Sequence, residues 1–82
     1  MKIDNAKTKQ DIIPLFHSAL LSIIPANQLD RIARAILTKL LVGRQQALPD
    51  PLDVPVNYSY NAADDTLTSI EIDGETYDIN RT

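Results

Sequence analysis

The sequence predicts an α+β fold: an N-terminal antiparallel helical hairpin packed on one face of a C-terminal three-stranded antiparallel β-meander. Two observations carry this. Apolar residues recur at helical spacing up to Gly43 and at strand spacing beyond Pro55, and Asp73-Gly74 lies between two alternating segments as a hairpin turn. With 82 residues, 44% of them apolar and 23% charged, the chain has the composition of a folded domain and the length for one core.

The expected organisation is one small domain over 1–82, divided into a mobile polar arm (1–10), the helical hairpin (11–43), a proline-rich connector (44–53) and the meander (54–80). Thr8 and Asp11 form a capping pair, and Pro14 falls early enough in the first helix to be tolerated. Ile12, Leu15, Phe16, Ala19, Leu20 and Ile23 then share one face, which leaves Leu21 and His17 on the opposite side. Pro25 ends this helix. Asn27 and Asp30 are read as the cap of a second helix, whose stripe of Leu29, Ile32, Ala33, Ile36, Leu37 and Leu40 runs to a stop at Gly43.

Three prolines within 48–55 keep the connector extended. Val54, Val56, Tyr58 and Tyr60 then alternate with polar neighbours, and Pro55 places the start of that strand at a sheet edge. A two-residue loop at Asp73-Gly74 pairs Ile72 with Glu75, Ile70 with Tyr77 and Thr68 with Ile79. Setting Tyr60 opposite Thr66 puts the apolar residues of all three strands on one face. Asn57, Ser59, Ser69, Glu71, Thr76 and Asp78 fall on the other, which is expected to be wet.

The chain has no cysteine, which excludes disulfides and thiolate metal sites, and its two glycines, Gly43 and Gly74, cannot make a phosphate-cradling loop. His17 is its one histidine. It is read as a surface residue, because its sequence neighbour Ser18 does not face it on a helix. The acids at Asp64-Asp65 and at Asp73, Glu75 and Asp78 lack the alternating ligand spacing of a calcium loop and are read as turn and surface residues. Tyr58, Tyr60 and Tyr77 share the apolar face without interleaved bases, the pattern of a core rather than of a base-stacking platform. No catalytic residue, cofactor or metal is therefore expected. Capping pairs and turns are too generic to carry a family resemblance.

Charge is distributed unevenly. Residues 1–49 hold seven Lys or Arg against three Asp or Glu, a net of +4, whereas residues 50–82 hold one Arg against eight acids, a net of −7. The leading expectation is a non-enzymatic protein-interaction module, regulator or inhibitor that meets a basic protein partner through Asp64, Asp65, Glu71, Thr76 and Asp78, with Leu21 as an apolar contact. The alternative is a nucleic-acid-associated regulator using Arg31, Arg34 and Lys39 with the lysines of the arm, a reading opposed by the acidic half. A core this small, together with apolar Leu21, Leu41 and Val42 outside the expected stripes, suggests a homodimer. No apolar run approaches the roughly 18 residues of a membrane span. With no secretory pattern at Met1 to Gln10, the expected location is cytoplasmic.

Overall fold

The computed structural model describes residues 2–46 and 54–79, so most of the proline-rich connector lies outside the described residues. Helices are followed by a three-stranded antiparallel sheet in the order β1-β2-β3, formed by Val56–Asn61, Thr66–Ile72 and Glu75–Asp78. The fold is α+β. Ile12, Leu15, Phe16, Leu20, Ile32, Ile36 and Leu37 from the helical part close on Leu67, Ile70 and Ile72 of β2 in one continuous core.

The helical part differs from the expected hairpin. In place of one helix over residues 11–24 there is a short α1 (Lys9–Ile12), a 3-10 turn (Ile13–Leu15), an extended pair at Phe16 and His17, and α2 (Ser18–Ile23). Pro14 has no N–H to continue the helical ladder, and the backbone it releases is used elsewhere. Phe16 forms an isolated parallel bridge with Leu67, and His17 N–H donates to the Leu67 carbonyl at 3.2 Å. The break resets the helical phase, so Ile24 is buried while Ala19 and Ile23 are exposed. His17 becomes the N-cap of α2, its Nδ1 accepting from Ala19 N–H at 3.1 Å.

The longest helix, α3 (Ala26–Gly43), starts on Pro25, and no side chain caps it. Asn27 lies inside the first turn, and Asp30 is engaged in ion pairs instead of a cap. Its buried face is wider than expected and takes in Ala35 and Leu41, so Leu41 belongs to the core rather than to spare apolar surface. Residues 2–8 are not a free arm. Ile3–Asn5 form a 3-10 turn that buries Ile3 and Ala6, and Arg44 guanidinium nitrogens donate to the carbonyls of Asp4 and Ala6.

The β2–β3 hairpin follows the expected register, with Ile72 opposite Glu75 and Ile70 opposite Tyr77. Asp73 (φ 51°) and Gly74 (φ 84°) both take the positive φ of a type I′ turn. The first hairpin does not follow it. Asn61 opposes Thr66, Tyr60 opposes Leu67 and Ser59 opposes Ser69, so Thr68 is an extra residue in β2. That bulge inverts the alternation once, which is why Leu67 and Ile70, three positions apart, are both fully buried.

Candidate interaction surfaces

Among the described residues the helices pack on the Leu67, Ile70 and Ile72 side of the sheet, and Asn57, Ser59, Glu71, Thr76 and Asp78 on the other side are exposed. There, β1, β2 and β3 bring Asn57, Glu71 and Thr76 into one row across the strands. Asn57 Nδ2 donates to Glu71 Oε1 at 3.1 Å, and Thr76 Oγ1 donates to Glu71 Oε2 at 3.4 Å. With Ser59 and Ser69 this row borders a shallow depression of about 120 Å³. Asp78 opposes Ser69 on β3 and is exposed. Glu71, Thr76 and Asp78 therefore share one solvated acidic face.

Asp64 and Asp65 do not join it. Both lie in the β1–β2 turn and border a different cleft, of about 390 Å³, shared with Gln10, Asp11, Pro14, Leu15 and Thr66 on the helical side of the sheet. They also serve the turn itself. Asp64 accepts from Asn61 Nδ2 at 2.9 Å, Asp65 (φ 56°) accepts from the Tyr60 hydroxyl, and Asn61 Oδ1 accepts from Ala63 N–H at 3.0 Å. The hydrogen bond to Asp65 favours the protonated phenol and raises the Tyr60 pKa; Glu75, which accepts from the Tyr77 hydroxyl at 2.8 Å, does the same for Tyr77. Leu21 is also apart from the acidic face, 37% exposed on α2.

The basic residues of α3 each meet a group of the same chain. Arg31 lies 3.6 Å from the Asp73 carboxylate at the hairpin tip and 3.4 Å from Gln28 Oε1. Arg34 faces Asp30 one turn earlier at 3.6 Å, and Lys9 reaches the same carboxylate at 2.9 Å. Lys39 Nζ donates to the Val56 carbonyl at 3.0 Å and to Asn57 Oδ1 at 3.4 Å, and stands 5.1 Å from the centre of the Tyr58 ring. Burial of Tyr58 raises its pKa. A basic stripe read off α3 thus becomes three separate attachments, to the hairpin tip, along the helix and to β1.

Arg44 escaped sequence reasoning because its acceptors are backbone carbonyls some forty residues away, which leave no side-chain signature. Among the described residues no group of three or more His, Cys, Asp or Glu is placed to hold a metal ion, and no helix is long and apolar enough to cross a membrane. Comparison with protein-family models, curated proteins and solved structures gives no match.

Proposed function

We propose that this chain is a small non-enzymatic interaction module, a regulator or inhibitor acting in the cytoplasm, which docks a basic protein partner on the open acidic face of its sheet. The observation that carries this reading is the one-sided layering. The helices cover the Leu67, Ile70 and Ile72 side of the sheet, while Glu71, Thr76 and Asp78 are held side by side on the other, exposed and on paired strands. Strand-borne groups of this kind are already ordered before a partner arrives, so little side-chain freedom is lost on binding. The net −7 of residues 50–82 adds long-range attraction for a cationic surface.

The test compares the wild-type chain with E71Q/D78N as bait for cell proteins at low and high salt. Basic proteins should be retained by the wild type and lost by the variant. They should also elute as salt rises, because the Debye length contracts from about 10 Å at 0.1 M to about 3 Å at 1 M. D64N serves as a control, with no loss expected, since Asp64 lies in the turn by the other cleft. Equal retention by wild type and E71Q/D78N would show that the acids do no more than solvate their own surface.

A further inference from the structure

Asp73 is the one aspartate or asparagine of the chain that is followed by glycine. That pairing matters for backbone chemistry as well as for the turn. An aspartyl side-chain carbonyl lies within reach of the next residue's amide nitrogen, and closure of the five-membered ring between them is hindered chiefly by that residue's Cβ. Gly74 has none, and nothing stands within 4 Å of the place one would occupy, so the surrounding protein does not block the approach either.

The fold leaves this link accessible. Asp73 and Gly74 are both exposed at the hairpin tip, and the Asp73 side chain is 62% exposed. Asp73 N–H is anchored, donating to the Pro55 carbonyl at 3.0 Å, but the β2–β3 ladder closes with Ile72 and Glu75 and does not include the peptide between Asp73 and Gly74. Rotation about that peptide breaks no strand pairing. The Asp73 carboxylate meets Arg31 at 3.6 Å, an exposed ion pair that opens readily. The other turn aspartates are held differently. Asn61 Nδ2 donates to Asp64 and the Tyr60 hydroxyl to Asp65, and the residues that follow them are Asp65 and β-branched Thr66.

We propose that Asp73-Gly74 is a site of spontaneous isoaspartate formation, a covalent modification that undoes the hairpin register. The Gly74 nitrogen bonds to Asp73 Cγ, the Cγ–OH bond of the protonated carboxyl breaks, and the hydroxyl leaves as water with the displaced amide proton. No oxidant or reductant takes part. Water then opens the succinimide at either carbonyl. Attack at Cγ restores aspartate, whereas attack at the main-chain carbonyl leaves isoaspartate, whose backbone runs through Cβ and Cγ and whose α-carboxylate is free. Mass and charge are unchanged, but the loop has gained one backbone atom. A two-residue type I′ turn then no longer sets Ile72 against Glu75. The next rung is Glu71 opposite Thr76, so the bond from Thr76 Oγ1 to Glu71 Oε2 is lost with it. The site does not depend on what the acidic face binds.

The test is storage of the full chain at neutral pH and physiological temperature, followed by digestion with a glutamate-specific protease. Cleavage after Glu71 and Glu75 releases residues 72–75, whose isoaspartyl form has the same mass and a different chromatographic retention. That form should accumulate with time, while peptides carrying the other described aspartates keep their retention. D73N, which preserves a turn-forming pair, should reach the same two products faster by loss of ammonia. G74N should abolish the conversion with an unchanged circular dichroism spectrum, because asparagine tolerates positive φ better than other residues with a side chain and its Cβ meets nothing. In the stored wild type, amide protection along the β2–β3 ladder should be lost in proportion to isoaspartate. Absence of isoaspartate at position 73 of the folded chain overturns the proposal, and its appearance in the urea-unfolded chain alone would trace that failure to protection by the turn. Equal conversion at the other aspartates overturns it too, as does a converted protein whose β2–β3 protection is intact.

Discussion

The C-terminus of α3 carries its glycine two residues away from where the backbone needs one. Gln45 N–H donates to the Val42 carbonyl at 3.0 Å and Gln46 N–H to the Leu41 carbonyl at 2.9 Å, the paired bonds of a Schellman motif, and the residue in the left-handed region is Gln45 at φ 58°. Gly43, in the last helical turn, has nothing within 4 Å of the place a Cβ would occupy. Gly43→Ala should therefore stabilise the fold by about 0.5–1 kcal/mol, through helix propensity and a less flexible unfolded chain. Gln45→Gly relieves a left-handed strain of roughly 1 kcal/mol and returns part of that as unfolded-state entropy, a net of about 0.5 kcal/mol. The double variant is expected to gain about 1–1.5 kcal/mol, or roughly 5–10 °C in Tm for a domain of this size. Thermal and urea unfolding of the two single variants and the double variant measure it. If Gly43→Ala destabilises, or Gln45→Gly changes nothing while Gln45→Val also changes nothing, the left-handed cap is not where the strain lies and the reasoning fails.

Other consequences can be read independently. Arg44→Ala should free the turn at Ile3–Asn5, lowering stability by about 1–2 kcal/mol and speeding amide exchange at Asn5 and Ala6; unaltered exchange there would mean that Ile3 and Ala6 hold the segment by packing alone. Tyr58, Tyr60 and Tyr77 should all ionise above the ordinary value of 10.0, with D65N returning Tyr60 toward it and E75Q returning Tyr77, as followed by tyrosinate absorbance. A raised folded value means that the stability due to each phenol is complete below 10.0 and lost as pH climbs through the folded pKa. Asp11 has the opposite sign: the Lys7 backbone N–H foremost, with Thr8, holds its carboxyl below 3.8, so its contribution is present above 3.8 and lost as pH falls through the folded value. Protection of the Lys7 and Thr8 amides, taken relative to the intrinsic exchange rate at each pH, should fall on acidification in the wild type and be absent at every pH in D11A.

Features set by near neighbours were legible in the sequence. The Asp73-Gly74 turn with its register, the Thr8–Asp11 cap, the switch from period 3.6 to period 2 and the polar sheet face all depend on residues within a few positions of one another. What was not legible depends on distant partners. The helix periodicity over residues 11–24 is real, yet Phe16 and His17 leave the helix to bond Leu67, and that choice is visible only once β2 is beside them. Thr68 as the bulged residue, and hence the inward placement of Leu67, is likewise set by which pairing fits the core. The candidate site divided for the same reason. Asp64 and Asp65 lie near Glu71 in sequence, but the turn directs them to the helical side of the sheet.

The bridge between Phe16 and Leu67 bears on the order in which the molecule assembles. The 18 residues of α3 can form helix from their own sequence, and the β2–β3 hairpin can close across its two-residue turn. Both need only local contacts, whereas joining Phe16 to Leu67 closes a loop of most of the chain and must wait for a large loss of chain entropy to be offset. The N-terminal elements are accordingly expected to dock last, onto a preformed α3 and hairpin. Truncating Phe16 should accordingly speed unfolding and leave the folding rate nearly unchanged, while an alteration at Asp73-Gly74 should slow folding itself. The extended pair that interrupts the helix thus acts as the molecule's latch, setting how long the finished fold survives more than how fast it is reached.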